Sequence, residues 1–181
     1  MKKLLTFLVM SIFAIGVGWA ETVYYTLDGS ILGGTNGYAT ESDITQDGMS
    51  WKVTGNTQIS PWRIGGKNLS NVDRDAYSTT AMGNTISKIE LQLGQISCTL
   101  NSVKLTVASD ASFSNVLDQI TKSSVLANST LEFTPSSGTD WAKNAYYKFT
   151  FNVTCGSSNS YVQLTKATFY NNPPSDIATC Y

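Results

Sequence analysis

The sequence contains no histidine. Hydrolysis by Ser-His-Asp or Cys-His groups, histidine acid-base catalysis and the common zinc sites are therefore excluded. An enzyme would have to use paired carboxylates, one of them held in an apolar setting that raises its pKa. Asp73 and Asp75 are close neighbours in the sequence, and strand parity predicts that Glu90 and Glu132 face outward. The sequence therefore predicts a non-catalytic protein and leaves a carboxylate-based, glycan-active enzyme as an alternative.

Cysteine is scarce, because Cys98, Cys155 and Cys180 are the three in the chain. An odd number without CxxC spacing predicts neither a dense disulfide framework nor thiol metal ligation. At most one disulfide bridge can form within a monomer, and an intermolecular bridge is the alternative. We predict no cofactor. A structural calcium ion remains an alternative, with candidate oxygens on Asn71, Asp73 and Asp75 or on another loop at Asp43 and Asp47.

Basic residues are also few and scattered. Removal of the first twenty residues leaves ten of the 12 basic residues against 13 acidic ones. Nucleic-acid binding needs a clustered basic face, so this partner is excluded. The sequence does not indicate an oligomeric state.

The N-terminus has the pattern of a secretory signal peptide. Lys2 and Lys3 precede an apolar run over residues 4–17, and Gly18-Trp19-Ala20 provides small residues at positions −3 and −1. The run is short for a membrane span. We predict cleavage after Ala20, no membrane span in the mature chain, and a location outside the cell, at the cell surface or in the periplasm.

The mature sequence is dominated by short segments that alternate between apolar and polar residues, which is typical of half-buried strands. The segment at 146–153 is the strongest and should be central in its sheet, and a parity switch near Thr165 or Lys166 indicates a β-bulge. We expect the segments at 89–93 and 103–107 to be antiparallel neighbours, and 116–120 to be a strand or a helical turn. Further strands are predicted at residues 22–27, 49–53, 131–134 and 161–170.

About eight such strands and no long amphipathic helix predict an all-β fold, a two-sheet antiparallel sandwich of the jelly-roll or immunoglobulin-like kind, with the strand count favouring the jelly roll. One domain is expected over residues 21–171, followed by a tail or linker at 172–181.

Four ordered segments carry a family resemblance: PWRIGGKNLSNVDRDAYSTTAMGNTISKIEL, NSVKLTVASDASFSNVL, GTDWAKNAYYKFTFNV and YVQLTKATFY. Together they resemble a secreted jelly-roll, galactose-binding-like module of exported multidomain proteins from gut Bacteroidales. The resemblance implies a β-sandwich fold, export and a non-catalytic role as an attached module. It implies no catalytic residue.

The stretch at residues 62–77 concentrates unusual side chains, including both arginines of the chain. An aromatic ring can stack on a sugar while Arg and Asp side chains bind its hydroxyls, so the stretch predicts a glycan or cell-surface polysaccharide site. Trp141, in a turn-like segment, is the best candidate for an exposed aromatic. The candidate ligand-binding residues are Trp62, Arg63, Arg74, Tyr77 and Trp141.

A structural interpretation of the same stretch is the alternative. Arg63 or Arg74 could pair with Asp73 or Asp75 and pin a long crossing loop between two sheets, with Trp62 against the core. The function predicted from sequence is thus a non-catalytic exported module that binds carbohydrate, with a structural or adhesive spacer as the alternative.

Overall fold

A computed structural model describes residues 21–30, 41–58 and 62–172. The predicted signal peptide, the glycine-rich segment after Ser30, Cys180 and the predicted tail beyond Asn172 lie outside the described residues. Within the described ranges no helix is both long and apolar enough to cross a membrane.

The described chain is built from twelve β-strands. Most coincide with segments in which apolar residues alternate with polar ones, so that one face of each strand is buried. In chain order they are β1 (Thr22–Asp28), β2 (Ser42–Gln46), β3 (Met49–Val53), β4 (Asn56–Gln58), β5 (Trp62–Gly66), β6 (Leu69–Ser78), β7 (Lys88–Ile96), β8 (Thr99–Ala108), β9 (Val116–Ser123), β10 (Thr130–Phe133), β11 (Tyr146–Cys155) and β12 (Ser160–Asn171).

The strands form two antiparallel sheets of six strands each. Sheet A has the order β10-β7-β12-β5-β4, with β1 also paired to β12, and sheet B has the order β2-β3-β6-β11-β8-β9. The last eight strands alone form a sheet with the order β10-β7-β12-β5, which packs on a sheet with the order β6-β11-β8-β9. This is the strand order of a jelly roll. The predicted all-β, two-sheet sandwich is confirmed, and β1 to β4 extend its edges beyond the eight strands expected.

The core lies between the two sheets and is rich in aromatic side chains. Trp51 is fully buried and stacks against Phe149 with ring centroids 6.3 Å apart. β11 lies between β6 and β8, so its predicted central position is confirmed. The predicted bulge in β12 is confirmed too, because its register against β7 shifts between Val162 and Leu164 and again between Leu164 and Lys166.

Two local predictions are corrected, and the open choice at residues 116–120 is decided in favour of the strand. β7 and β8 are not neighbours, because β7 lies in sheet A and β8 in sheet B. The alternation of apolar and polar residues shows which face of each strand is buried, but it does not show which strands are paired. The connection between β7 and β8 crosses from one sheet to the other. Residues 116–120 belong to a strand, β9. The stretch at 62–77 crosses between the sheets, but as strands β5 and β6 joined at Lys67 and Asn68, not as a long loop.

Candidate functional site

The predicted site residues are dispersed by the crossing from β5 to β6. Trp62 is fully buried in sheet A. Arg63 is next to it in the chain and therefore points to the outer face of sheet A. There its guanidinium carbon lies 4.0 Å from the centroid of the Tyr161 ring, and the Tyr161 hydroxyl donates a 2.7 Å hydrogen bond to Gln95. Trp62 and Arg63 thus lie on opposite faces of one strand.

Arg74 points into the sandwich rather than onto its surface. It is opposite Phe151 in the β6–β11 ladder, and Phe151 is fully buried. Its side chain lies over Gly55, whose φ is +64°, and a Cβ at that position would be 2.6 Å from the Arg74 Nε atom. The backbone conformation at Gly55 therefore favours glycine, and the Arg74 side chain would have to shift to accommodate a larger residue.

The predicted ion pair of Arg74 with Asp73 or Asp75 does not form within the described part of the chain. The reason is strand parity, since residues 73 and 75 face the opposite side of β6 from residue 74. Asp73 accepts a 2.7 Å hydrogen bond from Asn152, and Asp75 accepts one of 2.6 Å from Thr150. These two carboxylates bind β11, not an arginine.

Trp141 is not the exposed aromatic that its turn-like sequence predicted. Only 5 % of its surface is exposed, because an isolated bridge with Ile86 holds its backbone against the core. Its indole N–H donates a 2.9 Å hydrogen bond to Asp118, which also accepts the Ser136 amide at 2.9 Å. A depression of about 420 Å³ lies beside it. The ring is used for packing and for the contact with Asp118.

Tyr77 lies in a polar surface depression on the outer face of sheet B. Lys148 of β11 is directly opposite Tyr77, and Lys52 of β3 flanks it on the other side. The depression has a volume of about 310 Å³. We call it the Tyr77 surface, and it is lined by Glu41, Thr54, Asp75, Tyr77, Ala111, Ser112, Phe113 and Lys148.

Phe113 forms the second aromatic wall of the Tyr77 surface. Its ring stands edge-on to that of Tyr77, with centroids 6.0 Å apart and planes at 88°. Lys148 places its Nζ atom 4.7 Å from the centroid of the same ring, within the range of a cation–π contact. Two half-buried rings and one ammonium group therefore form a continuous patch on the two middle strands of sheet B.

The loop that carries Phe113 is held in a costly conformation. Phe113 has a φ of +58°, a region that bulky residues rarely adopt. Asp110 stabilises the loop because its carboxylate accepts the amides of Ser112 at 3.0 Å, Ser114 at 3.2 Å and Asn115 at 2.7 Å, as well as the Ser112 hydroxyl. These bonds hold the pKa of Asp110 well below its ordinary value.

Charged groups of both signs border the Tyr77 surface. Lys52 contacts Glu41 at 3.2 Å and Asp43 at 3.9 Å, and the hydrogen bond that it donates to Glu41 raises the pKa of Lys52. Burial, followed by the negative charge of Glu41, raises the pKa of Tyr77, so its hydroxyl is a neutral donor at physiological pH. The surface offers hydroxyl, ammonium and carboxylate groups beside aromatic rings, the mixture found in sites for polar ligands.

Three of the side chains considered for calcium or catalysis accept hydrogen bonds from other strands. Asn71 accepts a 2.9 Å hydrogen bond from Asn101, while Asp73 and Asp75 bind β11. Among the residues that the structure describes, no group of three or more acidic or cysteine side chains is placed to hold a metal ion.

Sequence reasoning missed Phe113, Lys148 and the surface role of Asp75. Phe113 had a detectable signal, because a phenylalanine inside Asp110-Ala-Ser-Phe-Ser-Asn115 belongs to no alternating strand and has no predicted core position. Lys148 lies on the polar side of the central strand, and its meeting with Tyr77 depends on the pairing of β6 with β11. That pairing joins residues distant in sequence and is not visible in local periodicity.

Two solved structures of known proteins resemble this chain weakly. No protein-family model matches the chain. No curated protein matches it either. Among solved structures, it is similar to the K1 cleaved adhesin domain of Lys-gingipain from Porphyromonas gingivalis W83, at 18 % identity and a TM-score of 0.42, over 82 % of this chain and 99 % of that one.

A second solved structure is a carbohydrate-binding module of the β-sandwich superfamily with promiscuous specificity. It is 12 % identical, with a TM-score of 0.32, over 88 % of this chain and 58 % of that one. Both TM-scores are below 0.5, so neither likeness supports a function for this chain, and a function has to rest on its own residues.

Proposed function

We propose that this chain is an exported, non-catalytic glycan-binding module whose ligand site is the Tyr77 surface. The observation that carries the proposal is the pair of half-buried rings, Tyr77 and Phe113, on the outer face of the middle strands of sheet B. Aromatic rings pack against the C–H face of a sugar. Asp75 and Lys148 are positioned to exchange hydrogen bonds with its hydroxyls.

The rigid support of these groups favours the proposal. Tyr77 and Lys148 are opposite each other on paired strands, and Asp75 is fixed by Thr150 on β11 and by Thr54, whose hydroxyl accepts the Asp75 amide at 2.8 Å. A site on paired strands loses little conformational entropy when a ligand binds. The strained Phe113 loop is the remaining wall, and strain of this kind concentrates at binding sites.

The test is affinity electrophoresis through gels containing soluble neutral polysaccharides (a β-glucan, a mannan and a galactan), followed by calorimetry on any polysaccharide that retards the chain. We expect Tyr77→Ala and Phe113→Ala each to weaken binding by about tenfold, the loss expected for about 1.4 kcal/mol of contact. Both variants should stay folded.

Tyr161→Ala is the matched control, because Tyr161 is also a partly exposed tyrosine beside a cation, but on the outer face of sheet A. It should leave retardation unchanged. Equal losses in Tyr161→Ala and Tyr77→Ala would place binding elsewhere and contradict the assignment of the site.

A structural or adhesive spacer is the second candidate function. It is favoured by the burial of Trp62 and Trp141 and by the position of Arg74 against Gly55, because each of these residues supports packing. A spacer would migrate unretarded through every gel of the panel, and Tyr77→Ala would then have no measurable effect beyond a small change in stability.

Export is part of the proposal. Residues 1–20 would be removed after Ala20, residues 21–171 would form the domain, and 172–181 would serve as a tail or linker. N-terminal sequencing of the chain recovered from outside the cytoplasm should begin at Glu21. A mature chain that retains Lys2 and Lys3 would contradict this proposal without affecting the assignment of the Tyr77 surface.

A further inference from the structure

Two cysteines meet at one end of the sandwich. In the β8–β11 ladder Thr99 is opposite Thr154, so the next residues in this antiparallel register are Cys98 and Cys155. Cys155 is 4 % exposed, and Cys98 is half-buried against the same core. Both are free thiols in the structure. Two strand ends therefore bring together cysteines that are far apart in the sequence.

The backbone geometry at this point suits a disulfide. Directly opposite residues of antiparallel strands have Cα atoms about 4.5–5.5 Å apart. Disulfides are found at Cα separations of about 4.4–6.8 Å. The two side chains also influence each other, because burial first, and then the neighbouring Cys155 thiol, raises the pKa of Cys98 to about 12. In the folded chain Cys98 is therefore a protonated, poorly reactive thiol, and oxidation is favoured before the core closes.

We propose that Cys98 and Cys155 form an intramolecular disulfide when the chain folds in the presence of a disulfide oxidant, either a low-molecular-weight disulfide or a thiol-disulfide oxidoreductase. One cysteine thiolate attacks the oxidant's disulfide, forms a mixed disulfide and releases one oxidant thiol. The other cysteine thiolate then attacks the cysteine sulfur of the mixed disulfide and releases the second oxidant thiol. Two electrons pass from the cysteines to the oxidant, which is thereby reduced.

The bridge would fasten crossings between the two sheets. Cys98 lies between β7 of sheet A and β8 of sheet B, and Cys155 ends β11 just before the turn to β12. The β5–β6 crossing is at the same end, where the Asn68 amide donates a 2.7 Å hydrogen bond to the Gly156 carbonyl. The disulfide would thus directly join two of the crossings at this end.

The Tyr77 surface is at a distance from this bridge. Along β6, Leu69 is opposite Cys155 and Tyr77 is opposite Lys148. A bridge at one end of the strand should therefore leave glycan retention unchanged. Failure of the disulfide proposal and failure of the glycan proposal are distinguishable on this basis.

The experiment is to unfold and reduce the full chain, refold it in a buffer of reduced and oxidised glutathione, block free thiols with iodoacetamide and map the digest by mass spectrometry. We expect one linked peptide pair containing Cys98 and Cys155, with Cys180 alkylated. The bridge should still form in Cys180→Ser and be absent in Cys155→Ser. Complete alkylation of Cys98 and Cys155, or a bridge from either of them to Cys180, would overturn the proposal.

Thermal denaturation tests whether the bridge stabilises the fold. The refolded chain should melt about 10 °C higher than the same chain in dithiothreitol, because a long loop is closed in the unfolded state. The Cys98→Ala/Cys155→Ala variant should melt at one temperature with or without reductant. An equal reductant effect in that variant would contradict a role for this pair in stability.

Discussion

The sandwich holds two aromatic clusters with opposite surroundings. In the core, Trp51 stacks between Tyr25 and Phe149 at nearly parallel angles, and its indole N–H donates a 3.1 Å hydrogen bond to the Tyr25 hydroxyl. On the Tyr77 surface, two rings meet edge-on among charged groups. Burial raises the pKa of Tyr25 to about 12, with smaller effects from the Trp51 hydrogen bond and the charge of Asp47.

The two clusters differ in how much of their ring surface contacts other protein groups and how much contacts water. The interior rings pack against one another, and the Trp51 indole N–H is satisfied by the Tyr25 hydroxyl. The surface rings leave part of their area, and the neighbouring polar groups, in contact with water. Burial of aromatic area therefore stabilises the fold more in the first case than in the second. The interior cluster should therefore govern the free energy of unfolding, and the surface cluster should govern binding.

The largest effect is expected for Phe149→Ala. Phe149 is fully buried and packs against Trp51, Phe133 and Phe169, so its truncation should cost about 3–5 kcal/mol of unfolding free energy. Urea denaturation measures this loss. Phe113→Ala removes the same side chain from the surface and should change the same quantity by less than about 1 kcal/mol. Similar losses of unfolding free energy in the two variants would contradict the difference between the core and surface clusters.

A smaller effect is expected for the hydrogen bond that links the buried Trp141 ring to Asp118. Asp118→Ala removes the acceptor of the Trp141 indole and of the Ser136 amide, and should cost about 1–2 kcal/mol. Asp118→Asn retains one carbonyl oxygen and should lose less. Thermal denaturation of both variants measures the difference, and equal stabilities for wild type and Asp118→Ala would show that these bonds are replaced by water.

The same contact predicts a dependence on pH. Burial raises the pKa of Asp118, but hydrogen bonds from the Ser136 amide and the Trp141 indole outweigh burial, and the pKa is lowered overall. A carboxyl whose pKa is lower in the folded state contributes stability above its unfolded pKa, about 3.9, and loses it as the pH falls through the folded pKa. The stability difference between wild type and Asp118→Asn should therefore shrink from pH 6 to pH 3. A constant difference would contradict this origin.

Much of the fold was predictable because it depends on local alternation. The buried face of β3, the central strand β11 and the bulge in β12 all follow from parity within one strand. The pairing of strands was not predictable in this way, and β7 and β8 show why. A jelly roll sends successive strands to different sheets, so neighbours in sequence such as these two are separated by the core.

The site was less predictable for a related physical reason. The composition of residues 62–77 indicates one loop, in which Trp62, Arg63, Arg74 and Tyr77 could converge. In strands, consecutive residues point to opposite faces, so Trp62 and Arg74 lie on the inner faces of their strands while Arg63 and Tyr77 reach the outer faces of different sheets. Tyr77 remains a candidate because of its neighbours Phe113 and Lys148, which are supplied by distant segments.

The smallest effect on global stability, and the most local one, is expected for Asp110→Ala. Its carboxylate holds the loop that fixes Phe113 at a φ of +58°. Without these hydrogen bonds the loop should relax toward ordinary backbone angles, and Phe113 should leave the Tyr77 ring. Hydrogen exchange of the Asn115 amide, which donates to Asp110 at 2.7 Å, should speed up by roughly tenfold or more, while the amides of β11 stay unchanged.

Asp110→Asn is the matched control, because its amide oxygen can still accept the Ser112 and Ser114 amides, and it should retain part of the protection. For any polysaccharide that the wild type retains, Asp110→Ala should weaken binding by a few fold, less than Phe113→Ala itself. If Asn115 exchange were unchanged in Asp110→Ala, the carboxylate would not be what holds the loop. The strained position of Phe113 would then depend on its contacts with Tyr77 and Lys148, and those contacts would support the surface without help from Asp110.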